Sequence, residues 1–346
     1  MLLDLSRLLL GVLLLVHPLG MTTPADAQLE ARYDMRFHFI AQAAVKDAIS
    51  GLSTESLKLE VATLDMAYTH PTTALGPRWA LVNRLTLRKE NVEAEEDIPL
   101  TFFEAVKTSR QRELAFGSEN FLRLGYDAVL SRRLSSSWTL KGMGGTVLSV
   151  DEVADATPGD VWFRGGAQLD HTTRSGWTMG LGLLYSQLTG HSAFLPVVNL
   201  QSPASSAGWR LQVLTPNASL WYRFRNTAVE WGVMAEIDGT EYRLLDRRAV
   251  LYDSQGEIID PKTDVSLAYS VVTVGPAVRL VEAQSVSAFF QLGMTMRRHY
   301  RFRSLDQSQT LVLPPGATIG AGEKLDFELE RSTFVQGNLQ YRLGAN

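Results

Sequence analysis

The chain has 346 residues, no cysteine and a formal net charge of −4. Without cysteine it has no disulfide staples, no thiolate-ligated metal and no lipoprotein anchor, and its slight acidity with no basic tail argues against nucleic acid as a partner. The length suits one large domain or two ordinary ones, and no linker or low-complexity tract divides it.

Residues 8–16 are almost wholly apolar, follow Arg7 and lead to Ala25-Asp26-Ala27. This is the pattern of a secretory signal peptide cleaved after Ala27, and the run is too short to span a bilayer. The expected organisation is a signal peptide over residues 1–27 and a single β domain over 28–346. No later run of roughly 18 apolar residues predicts a transmembrane helix.

The mature chain opens with Tyr33, Met35, Phe37 and Phe39 on one face and Arg32, Asp34, Arg36 and His38 on the other. A period of two predicts a strand with one apolar and one polar side. Residues 41–54 read as a loop, and a second strand over 55–69 alternates Leu57, Leu59 and Val61. After a turn at 70–77, the third strand starts at Trp79 and sets Leu81, Leu85 and Leu87 against Ala80, Val82 and Arg84. Residues 90–118 read as a long connection whose acids Glu93, Glu95, Glu96 and Asp97 face water. Strand four opposes Leu122, Leu124, Tyr126, Ala128 and Leu130 to Arg123, Asp127 and Ser131. A turn at 135–137 leads to Trp138 and a glycine-rich fifth strand.

Residues 160–188 carry the clearest alternation. Val161, Phe163, Ala167 and Leu169 alternate with Trp162, Arg164, Gln168 and Asp170. Trp177, Met179, Leu181, Leu183 and Tyr185 then alternate with Thr178, Gly180, Gly182, Leu184 and Ser186. Residues 172–176 join the two as a hairpin. Strands eight to ten, at 195–201, 209–214 and 218–224, are short; they make a low wall, which either admits a hydrophobic solute laterally or marks a thin local bilayer. A two-residue turn at Asn226-Thr227 then places Arg223 opposite Glu230 on the polar side and Tyr222 opposite Trp231 on the apolar side. Strand eleven shows Val229, Trp231, Val233, Ala235 and Ile237. Residues 247–264 read as loop, and strand twelve, 265–281, is uniformly apolar. Strand thirteen alternates from Val286 to Met296. Its register, carried forward, puts Arg297, His299, Arg301 and Arg303 on the polar face and Arg298, Tyr300 and Phe302 on the apolar one. The last strand sets Val335, Leu339, Tyr341 and Leu343 against Gln336, Asn338, Gln340 and Arg342.

Three regularities point to a membrane barrel. Long and short connections alternate, as outer loops and periplasmic turns do. Trp79, Trp138, Trp177 and Trp209 each follow a short turn, which would set them in one interfacial girdle. The polar faces carry more ions than a dry core tolerates, and lipid forbids an open sheet edge. The expected fold is all-β: a closed antiparallel up-and-down transmembrane β-barrel of about 14 strands, with 12 the main competitor. Its expected location is the bacterial outer membrane. Its expected partners are outer-membrane lipids, lipopolysaccharide and the outer-membrane assembly machinery.

From Trp177 the chain reads W-x-x-G-x-G-x-x-Y, followed by Pro196, Trp209-Arg210-Leu211, Pro216, Ser219, Tyr222, Gly239 and Tyr242. Over residues 177–242 this resembles a family of uncharacterised bacterial outer-membrane β-barrel proteins, a domain-of-unknown-function family. The resemblance implies a fold and a location, and brings no assigned activity and no catalytic residues. The chain ends in Asn346, whereas barrels in general end in an aromatic residue; Tyr341 is the nearest one here.

No chemistry-bearing motif is complete. His191 adjoins Ser192 and His171 adjoins Asp170, but no nucleophile elbow frames the serine. Six histidines show no metal spacing, and Gly142, Gly144 and Gly145 precede no helix that would make them a phosphate loop. No catalytic residue, metal or cofactor is expected. The candidate lumen-lining residues are Arg164, Asp170, Arg223, Glu230, Arg297 and Arg301. An arginine row in a pore favours anions; as rim charge it would instead be neutralised by Glu323, Asp326 and Glu328. The first functional reading is a passive pore or transporter for small solutes. The alternative is a barrel sealed by its own loops and internal ion pairs, acting as a structural or binding component; a lipid-active barrel enzyme is a weaker third.

Overall fold

An alternating strand satisfies its backbone only when both edges are paired, and here the pairing runs round to its start. The computed structural model describes residues 31–44, 58–70, 73–94, 119–151, 153, 156–186, 193–203, 207–225, 227–252, 258–283, 286–304, 311–313, 317–319 and 325–343. The expected signal peptide and the His191-Ser192 pair lie outside them. The strands in chain order are β1 (Ala31–Ala44), β2 (Lys58–Thr69), β3 (Thr73–Gly76), β4 (Trp79–Ala94), β5 (Glu119–Arg133), β6 (Trp138–Val150), β7 (Val161–Thr172), β8 (Thr178–Ser186) and β9 (Ala193–Gln201). They continue as β10 (Gly208–Leu214), β11 (Asn217–Arg223), β12 (Val229–Tyr252), β13 (Ile258–Ala283), β14 (Val286–Ser304), β15 (Leu311–Leu313), β16 (Ala317–Ile319), β17 (Leu325–Leu329) and β18 (Thr333–Leu343).

Neighbours pair antiparallel from β1 through β2 and β4 to β14, then through β18 back to β1. Among the described residues fourteen strands thus close the barrel, with β17 continuing the β18 wall beside β14. β3 pairs with β4 in the turn region, and β15 with β16 in a separate two-stranded sheet. The termini and the short turns share one end, which in outer-membrane barrels is periplasmic.

The outer face is apolar round the ring. Phe37, Leu64, Phe163, Phe194, Trp231, Phe290 and Met294 are all exposed, and Leu181 is 71% exposed. A soluble barrel would not present such a belt; a lipid-facing one must.

The walls differ greatly in height. β13 has 26 residues, β10 and β11 only 7 each. The β10–β11 turn is nonetheless tied down. Thr215 donates its N–H to the Val198 carbonyl at 3.0 Å, and the Pro216 carbonyl accepts from Ile237 N–H at 3.1 Å. A proline brings no N–H of its own to this low position. Above the low wall β12 leans across to β6. Arg243 pairs with Val150 in parallel register, and Asp151 N–H donates to the Arg243 carbonyl at 3.2 Å. The Arg243 guanidinium binds Asp160, at the end of a single 3-10 turn, and the Gly159 carbonyl.

Several expected loops are strand. β1 runs to Ala44, β4 to Ala94, β12 to Tyr252, and β13 begins at Ile258. Beyond the lipid belt an outward residue need not be apolar, so the period that marks a strand fades while the ladder goes on.

The largest correction is in β14. Val272 pairs with Arg297 but Thr273 with Thr295, which leaves Met296 as an extra residue. Such a bulge reverses the faces of everything after it. Arg298 and Tyr300 therefore point inward and are wholly buried. Arg297 and Arg301, expected in the lumen, point outward together with His299, which pairs across from Glu328 of β17. The side chains of Phe302 and Arg303 lie outside the described residues.

Candidate functional site: an arginine-rich lumen

The inward parity of each strand brings charged side chains from facing walls together. Arg36 of β1 forms a two-pronged pair with Glu236 of β12, both contacts at 2.7 Å, and Gln336 of β18 donates to the same carboxylate at 3.4 Å. Arg88 of β4 reaches Asp238 of β12 at 2.7 and 3.0 Å and holds Glu90 of its own strand at 2.9 Å. Tyr242 donates its hydroxyl to Glu90 at 3.3 Å. Paired guanidinium forks of this kind give directional, charge-assisted bonds inside a low-dielectric space.

Towards the outer end the lumen is filled by buried side chains. Ile40, Leu59, Phe121, Tyr242, Tyr300 and Phe334 are each at most 1% exposed. Phe121 of β5 stacks on Tyr242 of β12 with ring centres 4.4 Å apart, and Tyr269 meets Tyr300 at 4.9 Å. This core is made by side chains of the walls themselves.

Arg298 sits inside this core. It donates to the Ala41 and Leu59 carbonyls at 3.2 Å each, and no carboxylate bonds it among the described residues. The pairing of β1 with β2 is irregular between Ile40 and Ala43, so Ala41 has no ladder partner there. One bulge supplies the guanidinium; the other supplies a carbonyl for it.

Nearer the termini the lumen widens into a cavity of about 340 Å³. Its lining includes Arg32, Arg84, Arg123 and Arg164, besides Arg36 and Arg88. Arg164 of β7 binds Asp127 of β5, with its Nε at 2.7 Å. The two meet across β6 at Gly145, where a Cβ would fall 2.3 Å from the Asp127 carboxylate. The same device recurs on the neighbouring wall. Asp170 of β7 accepts from Asn199 of β9 at 3.0 Å across Gly180 of β8, and Lys141 pairs with it at 2.6 Å. A Cβ on Gly180 would lie 1.9 Å from the Asp170 oxygen.

Of the expected lumen residues, the structure places Arg164, Asp170, Arg223 and Glu230 inward. Arg223 stands opposite Glu230 and Tyr222 opposite Trp231 in the ladder. The Glu230 carboxylate nevertheless goes to Arg210, at 2.6 Å, and to Arg279, while Arg223 donates to the Thr227 carbonyl at 3.0 Å. The Arg279 guanidinium also lies over the Trp221 ring at 4.3 Å. Asp170 and His171 point to opposite faces, and His171 packs against Trp138 outside at 4.5 Å, so they form no dyad.

Trp79, Trp138 and Trp209 face outward beside the short turns, exposed by 38, 41 and 65%. Trp177 precedes β8 at the same end. Tyr33, Tyr68, Tyr222 and Trp231 join them: Tyr33 meets Tyr68 at 4.9 Å, and Trp209 meets Tyr222 at 4.9 Å. Sequence reasoning missed Arg88, Glu90, Glu236 and Asp238. Parity extended from Arg84 through Arg88 to Glu90 would have found the first two, had residues 90 onward been taken as strand.

No family model matches the chain, and no curated protein matches it. Among solved structures it is similar to a deltaS2 mutant of the TodX monoaromatic hydrocarbon channel, at 10% identity over 91% of this chain and 90% of that one, with TM-score 0.35. A bacterial polysaccharide outer membrane secretin aligns at 10% identity over 92% and 100%, with TM-score 0.34. The beta domain of the Bordetella autotransporter BrkA aligns at 11% identity over 90% and 99%, with TM-score 0.28. Independently of these likenesses, a fully paired ring of strands with an apolar outer belt and a charged interior identifies the chain as a bacterial outer-membrane β-barrel.

Proposed function

We propose that this barrel is sealed and serves as a structural or binding component of the outer membrane, with neither transport nor catalysis. The observation that carries the reading is the meeting of facing walls inside the lumen at two successive levels. Arg36–Glu236 and Arg88–Asp238 cross it, and the core around Phe121, Tyr242 and Tyr300 fills it above. Such a core occupies the outer part of the lumen among the described residues, and whether a barrel of this size conducts depends on what fills its interior. Outside, Arg297 stands exposed on the outward face of β14, a position suited to lipopolysaccharide phosphates. The ring of tryptophans and tyrosines at the other end anchors the barrel in the lipid interface.

The second reading, a passive pore for small solutes, is favoured by the arginine-lined cavity near the termini. Planar-bilayer recording of the refolded mature protein separates the two. We expect insertion without current. Discrete conductance steps in the wild type would overturn the sealed reading. Glu236→Gln with Asp238→Asn removes the crossing pairs and leaves the apolar core; this variant is expected to stay silent as well.

A further inference from the structure

We propose that the lumen cavity binds a small soluble oxyanion, the phosphate group of a periplasmic solute, between Arg84 and Arg123. Six guanidinium groups line the cavity: Arg32, Arg36, Arg84, Arg88, Arg123 and Arg164. Four are matched by carboxylates. Arg32 holds Asp34 at 3.0 Å, Arg36 holds Glu236, Arg88 holds Glu90 and Asp238, and Arg164 holds Asp127. Arg84 and Arg123 have no such partner among the described residues. The only side-chain bond of Arg123 there is to the Thr240 hydroxyl at 3.5 Å. Arg123 also stands directly opposite Arg88 in the β4–β5 ladder. Arg88 is answered by Glu90, Asp238 and, at 3.8 Å, Asp65, and Arg84 faces Asp127 across the ladder; the guanidinium donors left without a bonded carboxylate among the described residues are those of Arg84 and Arg123, and an anion from solution would take them.

The cavity wall between the two arginines is built for close approach. Inward positions run Arg84, Thr86, Arg88 on β4 and Asp127, Gly125, Arg123 on β5, paired in that order. Gly125 thus lies at the centre, with Thr86 beside it. A Cβ there would sit 2.5 Å from the Thr86 hydroxyl oxygen and 3.8 Å from an Arg164 nitrogen. Glycine there lets the Thr86 hydroxyl occupy the place a side chain would take, so the wall between Arg84 and Arg123 presents a hydroxyl donor with the Arg164 guanidinium close by. Guanidinium forks and a hydroxyl are the donor set that a tetrahedral oxyanion takes. A volume of about 340 Å³ exceeds bare phosphate and suits a small phosphomonoester. Arg84 is exposed and the Arg32 side chain is 42% exposed, so the cavity opens towards the end that carries the termini.

The inference rests on the sealed reading in one respect, that the anion is held and not passed. The test is isothermal titration of the refolded mature chain in detergent with inorganic phosphate and with glycerol 3-phosphate. Each variant is first checked for the heat-modifiable gel shift of a folded barrel. We expect saturable one-to-one binding, weakened about tenfold or more by Arg84→Gln or Arg123→Gln, which corresponds to about 1.4 kcal/mol or more. Gly125→Val should abolish it in a protein that still folds. Arg123→Lys should recover part of it, since charge remains without the fork. Arg174→Gln, in the exposed turn between β7 and β8, should leave it unchanged. No binding by the folded wild type, or binding that survives the Arg84→Gln, Arg123→Gln double variant, overturns the site and leaves the seal untouched. Binding accompanied by channel current keeps the site and overturns the seal.

Discussion

Arg298 illustrates how much of this molecule turns on single inward positions. Its guanidinium is fully buried and answers the Ala41 and Leu59 carbonyls. Arg298→Met keeps the stem and removes the donors, leaving buried carbonyls unpaired at about 1–3 kcal/mol; the midpoint of urea unfolding in lipid vesicles should fall accordingly. Glycine positions make the same point in reverse. Gly180→Val would drive a side chain into the Asp170–Asn199 bond, an overpacking cost of about 1–3 kcal/mol. A Cβ at Gly142 would meet nothing within 4 Å, so Gly142→Ala should leave the unfolding midpoint nearly unmoved, which makes it the control. Residue faces were largely legible: parity alone assigns Arg164, Asp170 and Glu230 to the interior. Partners were not. Arg223 and Glu230 are correctly paired as backbones, yet the carboxylate binds Arg210 and Arg279 from the flanking strands. Side-chain reach across a curved wall decides that, and no one-dimensional pattern encodes the curvature.

Among elements, β14 is the one whose facing was misread, and the cause is a single extra residue. Nothing in Met296-Arg297 distinguishes a bulge from a continued strand, because both residues are outward and exposed. The absence of cysteine makes the register easy to test. Arg297→Cys should react readily with a bulky membrane-impermeant maleimide in the folded protein, and Arg298→Cys should react only after unfolding. The opposite pattern would restore the unbroken register. Strand number, by contrast, was legible, because turn signals separate the fourteen ring strands and apolar alternation marks most of them. The upper reaches of β4, β12 and β13 were not, because there the outward face leaves lipid and hydropathy stops reporting the pleat.

At the scale of the whole molecule the ring is lopsided. β6 and β12 meet over the low wall, so the outer half of the barrel closes on nine walls: β12, β13, β14, β17 with β18, β1, β2, β4, β5 and β6. That contraction brings Phe121 against Tyr242 and lets wall side chains alone fill the interior. The low wall has a further consequence for the lipid around it. Seven tilted residues rise roughly 18 Å, against an apolar band of about 25 Å in a typical outer-membrane barrel. On the β10–β11 flank the bilayer must therefore thin by several ångströms, at fractions of a kcal/mol per ångström, while the flank of β13 imposes no such deficit. Refolding into vesicles of short-chain phosphatidylcholine should accordingly be more complete than into long-chain vesicles. Lengthening the β10–β11 hairpin by two alternating residues per strand should narrow that difference. In a continuous membrane the barrel carries a one-sided dimple with it, and two such proteins lower the cost of deformed lipid by turning their short flanks towards each other.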